Sequence, residues 1–380
     1  MHKNLRRAAT AALVIAIGSA SAAAPASGSA SAAARASGSA SAATPAAPLQ
    51  ACFVYVSPVG QAGWSYQHEQ GRLALQQALG EQVKSRVVEA VAEGPDSERV
   101  MRQLAQDGCG LILATSFGYL EPALKVAAEF PAVKFAHAGG YKSAPNLATY
   151  NGRFYEGRWL AGWLAGKTSA KGVAGYVAGF PVPEVVQGIN AFTLGMRAAN
   201  PQAQVRVVWL NTWFDPAKER EAALTLVNQG ADVLTNHSGS PAVPQVAEEK
   251  GVGLIAYTSD MARFAPKAQL AAVTHHWGPY YAQLARQVLA GSWSGQPVWA
   301  GMKDGLVQLS ALNPALPAAV KTGLARQQQA LVAGKLQPFA GRLVDNTGRE
   351  RQAAGAVMPD ATIAQMDWLV QGVVGRVPGR

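Results

Sequence analysis

The chain has 380 residues, 33 Lys or Arg against 23 Asp or Glu, a formal charge of +10, and an apolar fraction of 49%. That composition is globular, and the length suggests two domains large enough to bury cores without a disulfide framework, which excludes the disulfide-dense mini-protein classes. Only 15% of residues are charged and no run of five Lys or Arg occurs, which counts against a polybasic nucleic-acid binder.

Residues 1–24 open with Lys3, Arg6 and Arg7, continue through the apolar run Ala8–Ile17 and end in small residues up to Ala24. This is the three-part pattern of a secretory signal peptide, with a cleavage site expected near Ala22–Ala24. The apolar run is about half the roughly twenty residues a spanning helix needs. Arg6-Arg7 leaves twin-arginine export open beside the general route. No Cys stands near the cleavage site to accept a lipid anchor. Residues 25–50 carry a repeat of Ala, Ser and Gly around Ser27-Gly28-Ser29 and Ser37-Gly38-Ser39, and small side chains of this kind predict a flexible linker.

From Ala51 onward, short apolar runs alternate with amphipathic stretches. Strands are expected at Phe53–Val56, Ser85–Ala92 and Leu111–Ala114, with helices at Tyr66–Leu79 and Asp96–Gln106 between them. The rhythm restarts with strands at Val173–Val177, Val205–Leu210 and Val233–Asn236 and helices at Pro183–Ala199 and Pro216–Gln229. Segments at Ser240–Lys250, Leu254–Tyr257, Ala271–His275 and Pro279–Ala290 continue it. Repeated βα units predict an α/β chain of two Rossmann-like, doubly wound lobes on parallel sheets. The first lobe is expected to take 51–170 together with 300–380, and the second 171–299. The tail predicts a strand at Leu306–Leu309, a helix at Pro317–Gly334 and a hairpin around Asp345-Asn346-Thr347-Gly348.

Two cysteines remain, Cys52 at the start of the first strand and Cys109 just before the third. In the common 2-1-3 strand order these strands are neighbours, which favours a disulfide in an exported protein, with free buried thiols as the alternative. Phosphate-loop, nucleophile-elbow and zinc-protease motifs are absent, so neither catalysis nor a cofactor is expected. His275 and His276 are adjacent and would face opposite sides of a strand, so no metal site is expected. Aromatic groups instead gather where strands end, the place open α/β sheets bind ligands. Trp64 and Tyr66 follow the first strand, Phe117 and then Glu121 the third, and Trp213 and Phe214 follow a strand of the second half. His237 and Asp260 stand at two more strand ends. Two lobes presenting flat rings across a cleft suit a planar heteroaromatic ligand, its faces stacked and its edges read by polar groups.

Several blocks in this order resemble the basic membrane protein (BMP) family of ABC-transporter substrate-binding proteins, which includes purine nucleoside receptors. They are Val54–Gly60 with Gly63-Trp64, Gly152–Arg158, Phe180–Val186, Asn190–Gly195, Asn211–Glu221, Trp277–Tyr281 and Gly301–Gly305. The resemblance covers nearly all of Ala51 to Gly372. It implies a type I periplasmic-binding fold with a multi-strand hinge, and a purine base or nucleoside held between the lobes. It also implies delivery to a membrane permease, a periplasmic or otherwise extracytoplasmic location and a monomeric state. By position Trp64 and Trp213 would be the two rings of the sandwich, Glu121 the carboxylate on the base edge and Asp260 the partner of ribose hydroxyls. The family's ribose-contacting Lys aligns with His275, Gln61 stands where an Asp is usual, and Gly239 stands where another Asp follows the His-Thr pair. The first departure favours a free, adenine-like base over a nucleoside, and the loss of the two carboxylates changes which edge groups of the ligand are read or shifts the ligand itself. Alternatives on the same fold are a ligand sensor and a binder of sugar or another small molecule. An exported nucleoside-processing enzyme acting through Asp260 or Glu121 is a further alternative.

Overall fold

A computed structural model describes residues 47–379. The signal peptide expected at 1–24 and all but the last residues of the linker expected at 25–50 lie outside the described residues. The linker ends earlier than expected, because Leu49 and Gln50 already pair with Val83 and Lys84 as sheet.

The first sheet is built from β1 (Leu49–Val54), β2 (Val83–Val88), β3 (Leu111–Ala114), β4 (Lys134–Ala138) and β5 (Leu147–Gly152). The helices α1 (Gly63–Leu79), α2 (Pro95–Gln106) and α3 (Leu120–Glu129) make the crossovers. The four residues of β3 are all buried, which is why this strand reads as an unbroken apolar run rather than an alternation. Pro95 stands in the first turn of α2, where the N–H it lacks would have no helical partner. Then comes α4 (Phe154–Thr168), followed by β6 (Val173–Ala178), α5 (Pro183–Ala199), β7 (Gln204–Trp209), α6 (Pro216–Asn228), β8 (Val233–His237), α7 (Ala242–Lys250), β9 (Gly253–Thr258) and β10 (Gln269–His275). The Asp215 side chain caps α6 by accepting from the Lys218 N–H. The chain continues through α8 (Gly278–Leu289), β11 (Val298–Ala300), β12 (Val307–Ser310) and α9 (Ala318–Val332). The hairpin β13 (Leu343–Val344) and β14 (Glu350–Gln352), the short α10 (Asp360–Ile363) and β15 (Val373–Val374) close it.

The six-stranded sheet runs β11-β5-β4-β3-β1-β2 and the seven-stranded sheet β12-β10-β9-β8-β6-β7-β15. All pairings within them are parallel except β10 with β12. Both sheets contain the 2-1-3 order, as β3-β1-β2 and β8-β6-β7. These are the two lobes the alternating pattern predicts.

The lobe boundaries differ from expectation. The stretch 300–380 was expected in the first lobe, but β12 pairs with β10 and β15 with β7, which puts both on the second sheet. Helix α4, expected in the first lobe, packs on α5, because Gly162 and Gly195 carry no side chain where the two backbones meet. Helix α8, expected in the second lobe, packs on α1, where Gly71 lies against Trp277 and Tyr281. The polypeptide therefore crosses between lobes three times, after β5, after β10 and after β11. Strands β5 and β10, each next to the edge of its sheet, hand the chain to the opposite sheet, and periodicity within a strand carries no trace of that exchange.

Cys52 and Cys109 form a disulfide with Cα atoms 6.0 Å apart. Cys52 lies inside β1 rather than at its start, opposite Ile112 of β3. The bond closes a separation of 57 residues. By chain entropy such a closure contributes about 4 kcal/mol.

Candidate ligand-binding cleft

The C-terminal ends of the central strands of both sheets face one cavity of about 660 Å³ counted to its mouth. The first lobe contributes Val56, Ser57, Trp64, Ser116, Phe117, Ala138, Gly139 and Asn151, and the second contributes Val182, Glu184, Trp213, His237, Ser238, Gly239 and Thr258. Phe154 joins them from the first crossing. Among these described residues there is one carboxylate and no Lys or Arg.

The lobes touch around this cavity. The Gly63 N–H donates to Ser259 Oγ at 2.9 Å, and Gln67 Nε2 donates to the His275 carbonyl at 2.5 Å. Gly63 has φ +91° and lies so close to Gly239 that any Cβ would run into the Gly239 carbonyl, so contact here requires glycine. Trp213 Nε1 reaches across to Glu93 Oε1 at 3.2 Å.

Three rings of the wall are held from behind. Trp64 Nε1 donates to the Thr115 carbonyl at 2.6 Å, and the indole meets His68 edge-on with centroids 4.5 Å apart. Phe154 stacks on His275 at 4.1 Å. Trp213 meets Phe180 at 5.0 Å in an edge arrangement, and Gly179 leaves room for its ring. Such fixed faces suit stacking on a planar ligand, since no side-chain freedom is lost on binding. Thr258, at the end of β9, has φ +69°. That is a strained conformation for a β-branched residue, of the kind that collects at ligand clamps.

The polar end of the cavity is a buried network. Glu184, in the first turn of α5, accepts from Tyr257 OH at 3.0 Å and lies 3.1 Å from His237 Nε2. The Arg158 guanidinium lies 3.3 Å over the Tyr257 ring and donates to Thr235 Oγ1 and the Asn236 carbonyl. Burial lowers the His237 pKa against the pull of Glu184, so the imidazole is neutral near pH 7. Its Nε2–H then donates to Glu184, and Nδ1 accepts from Tyr176 OH at 3.4 Å. Burial would raise the Glu184 carboxyl. The His237 contact, the Tyr257 hydrogen bond and the nearby Arg158 charge outweigh it and hold the pKa below its usual value. An ionised carboxylate accepts only, with lone pairs to spare beyond these two partners. It is suited to a ligand N–H or amino group.

Of the residues expected at the site, Trp64, Phe117, Trp213 and His237 line the cavity. The others do not. Glu121 is 56% exposed and ion-paired with Lys142. Its neighbours Leu120 and Pro122 are the residues α3 buries, which turns Glu121 to solvent. Asp260 is exposed and ties down its own loop by accepting from Ala262 N–H and Gln269 Nε2. His275 is fully buried behind Phe154. Tyr66 and Phe214 are half-buried and outside the lining, Phe214 lying beside Gly239. Sequence reasoning missed Asn151, Phe154, Glu184 and Glu93. Glu184 and Glu93 both follow the C-terminal ends of strands, the signal that found Trp64, but an acidic residue opening a helix reads equally well as a dipole partner. Among the described residues no group of three His, Cys, Asp or Glu gathers to hold a metal ion.

The sequence profile of the family described as "ABC transporter substrate-binding protein PnrA-like" matches residues 49–334. A purine-binding protein of Brucella abortus (strain 2308) is 46% identical over 330 residues, 87% of this chain and 94% of its own length. A protein of Haloferax volcanii, named provisionally as an ABC-transporter glucose-binding protein, is 36% identical over 87% of this chain and 81% of its own. The solved structure of an ABC-transporter solute-binding protein from Conexibacter woesei DSM 14684 superposes with a TM-score of 0.63 at 21% identity, covering 76% of this chain and 98% of that one. The chain belongs to the Bmp family of ABC-transporter substrate-binding proteins.

Proposed function

We propose that this member of the Bmp family binds a free purine base, adenine-like in carrying an amino group, and delivers it to the permease of its transporter. The family is extracytoplasmic and serves transport, so a small-molecule ligand and a permease partner follow from membership. Export by the N-terminal segment and a monomeric state are part of the proposal. The observation that carries the ligand assignment is the cavity wall. Rings from both lobes surround it, one ionised carboxylate stands at its polar end, and no cation lines it among the described residues. A nucleotide phosphate would find no counter-charge there. Asp260, which the family resemblance assigns to ribose, and His275, which stands where the family has its ribose-contacting Lys, stay outside the lining, which favours the base over the nucleoside. The name of the Brucella relative agrees with a purine.

Binding would act through closure. Only the closed form offers rings of both lobes at once, so the ligand has the differential affinity that shifts the lobes toward each other. Titration calorimetry with adenine, adenosine, adenosine monophosphate and glucose tests this. The expected order is adenine above adenosine, with no heat from the nucleotide or the sugar. Saturable glucose binding without adenine binding would remove the purine reading.

A further inference from the structure

We propose that Glu93 is a positioning residue that couples closure of the lobes to the shape of the aromatic walls. The inference rests on reading the cavity as a cleft that closes on a ligand. Glu93 follows β2 in the first lobe and is outside the cavity lining. Its Oε1 accepts three hydrogen bonds, from Ser116 Oγ at 2.6 Å, the Gly118 N–H at 2.8 Å and Trp213 Nε1 at 3.2 Å. The first two bracket Phe117, and a side chain at Gly118 would collide with the carboxylate. One oxygen thus fixes the turn that presents Phe117 from the first lobe and holds the Trp213 indole from the second.

The consequence is a division of labour. The bonds to Ser116 and Gly118 lie within one lobe and survive opening. The bond to Trp213 joins two lobes and exists only when they meet, so it favours the closed form over the open one irrespective of which ligand is inside. Glu184, which lines the cavity, would instead discriminate among ligands by their edges.

The test compares wild type, Glu93→Ala and Glu93→Gln in two measurements. In the first, spin labels on Ser143→Cys and Lys218→Cys, exposed positions on opposite lobes, report the closed fraction by electron–electron distance without ligand. Glu93→Ala is expected to lower that fraction, and Glu93→Gln, which keeps an acceptor oxygen, to fall between. An unchanged closed fraction overturns the proposal, whatever the protein binds. In the second, affinities for adenine and hypoxanthine should both fall about tenfold in Glu93→Ala, the size expected for one hydrogen bond to a charged group. Their ratio should stay constant, and Trp213→Phe should shrink the Glu93→Ala effect to the part carried by the bonds to Ser116 and Gly118, so that the two losses are less than additive. A changed ratio would mean that Glu93 reads the ligand itself, and additive losses would mean that it acts within its own lobe only. Wild type that binds neither base defeats the purine reading alone, and the label distances still decide the role of Glu93.

Discussion

Trp64 illustrates how one residue carries several constraints. Its position after β1 makes it a wall of the cavity, its indole N–H is spent on the Thr115 carbonyl, and its edge contact with His68 removes its remaining freedom. Stacking a base on such a ring is worth about 1–3 kcal/mol by alanine substitution, so Trp64→Ala should weaken adenine binding by roughly 5- to 150-fold in calorimetry. Glu184 makes a different prediction. Because its pKa is held below the usual carboxylate value, it stays ionised as the medium is acidified past the point where a free Glu would protonate. Adenine affinity should therefore remain level from pH 8 to about pH 5 and decline only below the ordinary Glu value of about 4.3. Glu184→Gln should change the ranking of adenine against hypoxanthine, because an amide offers a donor as well as an acceptor. A ranking identical to wild type would show that Glu184 makes no edge contact.

At the scale of elements, strand and helix positions were legible because the buried parallel strands are apolar runs and the helices carry their own start signals. Leu111–Ala114 and Pro183–Ala199 were read with their observed bounds, and the Cys52–Cys109 bridge followed from strand order. The exchange of α4, α8, β12 and β15 between lobes was not legible, since it depends on long-range contacts, such as Gly162 against α5 and the pairing of β12 with β10, that exist only in three dimensions. The misplacement of Glu121 has the same origin. A strand end marks the right neighbourhood, but which residue of the following helix turns inward is decided by packing. Two elements can be tested for stability. Replacing Cys52 and Cys109 together by Ser should cost about 4 kcal/mol in denaturant unfolding, and a cost near zero would mean that the bridge constrains little in the unfolded chain.

The second element is the hairpin of β13 and β14. Asp345 in its turn accepts from the Thr347 hydroxyl, the Thr347 and Arg349 N–H groups and Arg351 Nε. Burial would raise its pKa, but these hydrogen bonds prevail and depress it far below the usual value. A carboxyl depressed on folding contributes stability above its unfolded pKa of about 3.9 and loses it as pH falls toward the folded value. Asp345→Asn should accordingly lower the melting temperature at pH 7 and flatten the loss of stability below about pH 4. An unaltered acid limb would contradict this account of the turn.

For the whole molecule, the lobes and their cleft arise because two βα repeats place their strand ends toward each other, and three crossings let them move as a pair. The amphipathic rhythm displays that architecture. The cavity is less legible, since the site is assembled from strand ends far apart in sequence, Asn151 and Phe154 beside Glu184 and His237. Among the described residues no helix is long and apolar enough to cross a membrane. The proposed occupant of this chamber is a purine base. Mass spectrometry of small molecules released by denaturing the purified protein tests it most directly. The released fraction is expected to contain a purine base, adenine foremost, and to lack it when Trp64→Ala is used instead. Release of a hexose or another non-purine compound, with wild-type protein failing to take up adenine afterwards, would contradict it.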